Sequence, residues 1–325
     1  MTGSTPLGDR LLPPCLDAGL LTVLDGVSVS PDGLSATVGG RELTAETGRQ
    51  LRQKLIAAIY ETFHVGHVFG EDLPRSFRDP ALEERLAGRT PHATTPVRAV
   101  PYRPEDAGGP RIAVIDGVKV RLTPSETLVD GQVRLPAHRP GLSPGFFLVD
   151  GSSGKPLGKP LLRLYLQLDG VDEAVDLWGT VLERMEAAKV RYRAKVTSSP
   201  RLFPRRDGLV VYLGEDAWDA VLSFAYALQP SSKAGRSGLS SPFARELAPG
   251  VAIAWEPDDS RPGRRGMSFG QHRAAAIVDA LLEPLGAPVG NSGTPSDECL
   301  VRHLREAGID PVSMHRNAES PMLSG

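Results

Sequence analysis

The sequence predicts an α+β fold, a twisted and mostly antiparallel sheet flanked by helices. Three observations carry this. Apolar runs with period-two alternation recur along the chain, and one pair, Arg111 to Leu122, is joined by Asp116-Gly117, a preferred hairpin dipeptide. Stripes of apolar residues at helical spacing, clearest from Val171 to Lys189, lie between such runs. From Leu161 to Gly214 the order is strand, helix, strand, Pro-bounded turn, strand, which places several polar strand faces in one sheet if the strands pair.

With 325 residues the chain is long enough for one large domain or two ordinary ones with a substantial core. A formal net charge of −2 argues against bulk nucleic-acid binding through a basic surface, so any phosphate recognition is local. Cys15 and Cys299 are far apart and form no disulfide framework or metal pattern, which fits a reducing compartment. The N-terminus lacks a basic segment followed by an apolar core, and no apolar run is long enough to span a bilayer. The expectation is a cytoplasmic protein that does not engage membranes.

Leu11 to Gly40 carries Asp25-Gly26 and Asp32-Gly33 and reads as a small hairpin or meander. Thr44 is a candidate N-cap for a helix from Ala45 to Phe63. Beyond it His64 and His67 stand near Glu71 and Asp72, but no third ligand has diagnostic metal spacing. Pro80 to Gly88 suits a short helix, and Gly88 to Pro110, rich in Pro, Gly, Thr and Arg, suits a surface loop. A soft boundary near 155 divides an N-terminal α+β region (1–155), with a peptide-binding or supporting role, from a core at 156–286. A short helix near Ser296 to Ala307 and a tail make up 287–325. Within the core, Asp216 to Leu228 reads as a helix, Gln229 to Ser241 as a polar loop able to act as a lid, and Phe243 to Trp255 as an apolar run.

Two stretches concentrate cations. In Val190 to Gly214, side-chain alternation puts Arg191, Arg193 and Lys195 on one face of a strand and Val190, Tyr192, Ala194 and Val196 on the other. Fixed positive charge beside a lysine on a rigid sheet suits phosphate handling, although such alternation most often marks a solvated outer face or a protected sheet edge. The preceding strand, Leu161 to Leu168, gives Arg163, Tyr165 and Gln167 a common face. Further on, Ser268 to Gly270 open a helix with His272 and Arg273 in its first turn. There the free N–H groups and the helix dipole favour an anion, and Arg273 adds a planar fork matched to phosphate oxygens.

Leu161 to Glu283 resembles the HopA family of type III effector domains, which also occurs as the stand-alone lyase of class V lanthipeptide and thioamide-containing peptide pathways. The resemblance rests on RLYLQL, on YRAKV followed by RRDGLVVYL, on PFARELAPGVAIAWEP and on SFGQHR, with VRLPAHRPGLSPGFFLVDG upstream. It implies a phosphothreonine-lyase-like fold and the β-elimination of phosphate from phosphorylated Ser or Thr, leaving dehydroalanine or dehydrobutyrine. The implied partners are a phosphorylated precursor peptide and a separate kinase, since this chain has neither a Gly-rich phosphate loop nor kinase motifs. No cofactor and no metal are required.

β-Elimination needs a base for the Cα proton and neutralisation of the departing phosphate. Lys195 is the candidate base, with Arg191, Arg193 and Arg206 expected to crowd it and favour its neutral form. Arg206, Arg273 and Arg163 are candidates for holding the phosphate, followed by Arg193 and Arg245. His272 is the candidate general acid. The Lys-x-His tripeptide of characterised phosphothreonine lyases is absent here, which leaves open Tyr165 or Tyr212 as proton donor, or a phosphate held by several arginines that leaves without a proton; Asp207 is expected to orient Arg206 or cap the strand. A non-catalytic module that binds a phosphopeptide or a partner protein is the alternative, and Lys195 discriminates, because a receptor has no use for a neutral lysine.

Overall fold

The computed structural model describes residues 16–66, 77–102, 111–123, 126, 128–227, 240–283 and 295–323. Asp17 opens helix α1 (Ala18–Asp25) by accepting from the backbone N–H groups of Gly19 and Leu20. Strands β1 (Val27–Val29), β2 (Ser35–Val38) and β3 (Arg41–Thr44) follow as an antiparallel meander. The expected meander is present, but Asp25-Gly26 ends a helix instead of turning a hairpin. Helix α2 (Gly48–Ile59) is capped by Thr47, whose hydroxyl accepts from the Gln50 N–H, while Thr44 closes β3. The predicted cap is therefore three residues early. The helix widens into a π-helical turn over Tyr60–Val65, a feature common where side chains are re-aimed toward a site.

Helix α3 (Pro80–Gly88) forms as the sequence predicts, capped by Asp79. The expected loop after it instead contains β4 (Thr94–Arg98) and β5 (Val100–Tyr102). Both strands lie at sheet edges, where Pro96 and Pro101 are tolerated because a missing N–H interrupts no central ladder. Strands β6 (Ile112–Ile115) and β7 (Val118–Arg121) make the predicted hairpin, with Asp116 and Gly117 both at positive φ. Strands β8 (Leu128–Val129) and β9 (Gln132–Pro136) join β4 in the order β4-β9-β8, beside a separate β5-β6-β7 sheet.

The remaining strands are β10 (Phe146–Asp150), β11 (Leu162–Leu168), β12 (Tyr192–Thr197), β13 (Arg205–Leu213), β14 (Arg245–Ala248) and β15 (Val251–Trp255). They build one antiparallel sheet in the order β10-β12-β13-β11-β15-β14. Its edge strand β10 lies before residue 155 in the chain. Helices α4 (Val171–Ala187), α5 (Val221–Ala227), α6 (Phe269–Leu282) and α7 (Asp297–Glu306) accompany it. The segment read as a helix from Asp216 is a short 3-10 turn, Glu215–Ala217, followed by α5, and the Phe243 to Trp255 run folds into the β14-β15 hairpin. Most of the predicted lid, residues 229–239, lies outside the described residues.

Register fixes which side chains share a face. Lys195 pairs with Val210 and Leu148, and Arg193 with Tyr212 and Asp150; Arg163 pairs with Tyr212 and Ala254. On one face Tyr192, Ala194, Val196, Leu164 and Val211 pack beneath Trp178, Leu182 and Met185 of α4. Burying each such large apolar side chain contributes roughly 1.5–3 kcal/mol. On the other face Tyr165, Val210, Ala252 and Ala254 join α2 and α6 in a second core. The polar residues of that face, Arg163, Arg193, Lys195 and Tyr212, continue the sheet past this core. Among the described residues, no helix is long and apolar enough to cross a membrane.

Candidate functional site

Lys195 extends from the centre of β12 into a cavity of about 380 Å³. Arg193, Tyr212, Lys155, Leu148 and Glu256 line it as well. The Lys195 ammonium lies 4.2 Å from the centroid of the Phe146 ring and 6.0 Å from that of Tyr212. Such contacts favour a cation without neutralising it. Arg163 lies 4.9 Å from the Tyr212 ring centroid, so this phenol bridges the two basic groups. Arg163 is buried, ion-paired with Glu256, and donates to the Tyr165 hydroxyl at 3.2 Å. Arg193 is bound two-pronged by Asp150 at 2.6 and 3.0 Å, with Arg139 also 3.6 Å from that carboxylate.

A buried polar network adjoins this face. Arg205 holds Asp207 through two hydrogen bonds, at 2.7 and 3.1 Å, and donates to the Tyr60 hydroxyl at 3.3 Å. Its guanidinium is 4.9 Å from the Phe146 centroid, so the same ring carries Arg205 and Lys195. His64, brought in by the π-helical turn, places Nδ1 2.9 Å from the Ser241 hydroxyl and Nε2 3.8 Å from Asp207. Tyr60, Tyr165, Phe243 and Phe269 surround the imidazole. Gly270 permits this approach, because a Cβ there would lie 2.3–2.9 Å from the His64 ring and Cβ. Burial drives the His64 pKa down to about 4, with Arg163, Arg205 and Lys195 reinforcing it against Asp207. For Asp207, burial alone raises the pKa, but Arg205 and His64 outweigh it and hold the carboxyl well below the usual range.

His272 and Arg273 belong to a different cluster and do not line the Lys195 cavity. His272 is buried, with Nε2 3.0 Å from Asp259 and Nδ1 facing the Arg273 guanidinium at 2.9 Å. Its pKa falls to about 4, through burial first and Arg273 second. Arg273 donates to the carbonyls of Met314 and Arg316 and to the Asn317 side chain, and stacks on Phe269. Burial lowers its pKa to about 9, and its guanidinium is occupied in clamping the C-terminal segment. The helix start that looks like an anion site in sequence is closed by the chain itself. A capping box between Ser268 and Gln271 occupies part of that first turn.

The other candidates are dispersed. Arg206 donates to the Phe63 carbonyl at 2.7 Å and packs against Gly66, away from Asp207, which pairs with Arg205 instead. Arg245 is exposed on the edge strand β14, and Arg191 lines a neighbouring cavity. Tyr165 is buried against His64, and burial raises the pKa of its phenol. Thus Lys195, Arg193 and Tyr212 share one cavity, and Arg163 contacts it through Tyr212 and Glu256.

Arg205, Lys155, Glu256 and His64 were not singled out in the sequence as members of this group. Arg205 carried a usable signal, since it and Asp207 are two apart on a strand and so share a face. In the sequence His64 stands out only through its spacing to His67, Glu71 and Asp72, which lie outside the described residues. A ligand-type trio does appear elsewhere: Glu283, Cys299 and His303 bring one donor atom each within 4.8 Å of one another. There Arg302 already bonds both Glu283 oxygens, supplying the positive charge.

An α+β protein with a lysine-bearing cationic cavity on one sheet face is the class this geometry defines. Residues 137–316, a little over half of the chain, match the HopA1 effector protein family, and the chain belongs to that family. Among solved structures, it is similar to an effector protein from Pseudomonas syringae pv. syringae strain 61, with 13% identity over 80% of this chain and 87% of that one, at a TM-score of 0.45. It is also similar to one from Pseudomonas syringae pv. tomato strain DC3000, with 15% identity over 85% and 91% of the two chains, again at 0.45. A comparison with curated proteins finds no match.

Proposed function

We propose that this protein is a lyase that removes phosphate by β-elimination from phosphorylated Ser or Thr of a peptide. The substrate is a ribosomally made precursor, phosphorylated by a separate kinase on the way to a lanthipeptide-type product. One observation carries the reading: Lys195 reaches into a cavity of about 380 Å³ beside Arg193, Lys155 and Tyr212. That volume falls in the range of small-ligand pockets and suits a phosphorylated side chain.

In this reading Lys195, neutral when it acts, takes the Cα proton. The released electron pair forms the Cα–Cβ double bond as the Cβ–O bond breaks, and phosphate departs with that oxygen. Lys155 and Arg193 face the phosphate, and carboxylates beside each set how much of their charge the ligand receives: Asp116 lies 2.8 Å from Lys155, and Asp150 holds Arg193. Tyr212, which lines the same cavity, is better placed than His272 to donate a proton to the leaving oxygen. The Arg163 guanidinium, 4.9 Å from the centroid of its ring, supports that role. The Arg205-Asp207-His64 network holds Phe146 and, through it, the direction of the lysine.

Incubation with a phosphoserine peptide tests this by mass. Elimination gives a product one water lighter than the unphosphorylated peptide, whereas hydrolysis returns plain serine. Binding with no turnover by the intact protein and its Lys195→Ala variant alike favours the receptor reading.

A further inference from the structure

A second cavity, of about 450 Å³, abuts the first, and the two share Leu142, Lys155 and Arg193 in their walls. It lies where β4, the β6-β7 turn and β9 meet the start of β12, and apart from the shared Lys155 and Arg193 its walls take part in no step of the elimination. Its charge is one-sided. Arg98, Arg139, Lys155, Arg191 and Arg193 line it against two carboxylates, Asp116 and Asp150. Those carboxylates are committed: Asp116 to Lys155 at 2.8 Å, and Asp150 to Arg193, with Arg139 at 3.6 Å. Among the described residues, neither Arg98 nor Arg191 is ion-paired with a carboxylate. Arg98 is exposed at the end of β4, and Arg191 is half-buried against the Gly154 turn. Two unneutralised guanidinium groups at the rim of a concave wall make an anion site, because their planar forks match carboxylate and phosphate oxygens.

We propose that this cavity is a second anion subsite, which takes an acidic or second phosphorylated side chain of the same peptide whose first phosphate lies over Lys195. The proposal rests on the lyase reading for what occupies the first cavity, and it specifies the substrate class as a peptide carrying a neighbouring negative charge. Because the cavities are contiguous, one extended peptide spans both. A multiply phosphorylated peptide is thereby retained while successive residues enter the first cavity.

Three peptides test this, each with one phosphoserine and differing in a flanking position that carries Ala, Asp or a second phosphoserine. Fluorescence anisotropy gives their affinities, and mass spectrometry follows elimination. The second anion is expected to tighten binding about tenfold at low salt, a gain that shrinks as ionic strength rises. Arg98→Glu is expected to erase that gain while leaving affinity and turnover of the Ala-flanked peptide unchanged. Equal affinity for all three peptides, or an equal loss for all three in Arg98→Glu, overturns the subsite. If no peptide is eliminated but the anion preference and its Arg98 dependence persist, the lyase reading falls and the subsite stands. If elimination proceeds without preference, the reverse holds.

Discussion

Lys195 and Arg273 are both basic residues that the sequence places at a phosphate site, the first as base and the second as phosphate ligand, and their surroundings are opposite. Lys195 ends over aromatic rings at the wall of an open cavity, with no hydrogen bond to a carboxylate among the described residues. Arg273 is sealed in the core between α6 and the C-terminal segment, its donors spent on Met314, Arg316 and Asn317. A basic residue is available for chemistry only while its donors are unclaimed, and sequence position does not report that. His272 is the same lesson in a titratable group, because its partners Asp259 and Arg273 leave no nitrogen turned toward a ligand.

Substitutions at the two ends sharpen this contrast. The largest effect is expected for Lys195→Ala, which should reduce elimination by about 10³-fold or more while phosphopeptide binding and melting temperature stay near those of the intact protein. Arg273→Ala should do the converse. Leaving two buried carbonyls and the Asn317 side chain without their donor costs roughly 3–5 kcal/mol in denaturant unfolding. The protein that remains folded should keep its turnover. A variant that is stable but inactive would put Arg273 into the chemistry and break the comparison.

Acid provides a second probe. His64 and His272 titrate near 4 in the folded chain, against about 6.5 for a free imidazole. From pH 6.5 down to 4 the unfolded chain therefore binds protons that the folded one refuses, and stability falls across that window while remaining level above it. The loss is on the order of 3 kcal/mol per imidazole. Flat unfolding free energies from pH 7 to 4.5 would contradict these burials. Gly270→Ala is smaller, at about 1–3 kcal/mol, because the added methyl must displace the His64 ring or the helix. Arg245→Ala should change stability by less than about 0.5 kcal/mol and leave elimination unaffected, since that side chain is exposed on an edge strand.

Much of the fold was legible. Alternation in YRAKV and RLYLQL fixes which side chains share a face, and the α4 stripe fixes the layer beneath, because both periodicities are local. Thr44 was mistaken for Thr47 as a cap because either residue can accept a backbone N–H, and only the end of β3 decides between them. Strands β4 and β5 hid behind prolines that only an edge position tolerates. The candidate site was legible in part. Lys195, Arg193 and Tyr212 come together through strand register, whereas Lys155, Glu256 and His64 arrive from distant segments. No spacing rule connects those segments, so only the fold reports them.

The most direct test of proton abstraction at the Lys195 cavity uses a phosphoserine peptide deuterated at Cα. The account predicts a dehydroalanine product that has lost both the phosphate and the deuterium, formed by the intact protein and not by Lys195→Ala. A serine product that still carries its deuterium, or full dehydroalanine formation by the variant, would contradict it.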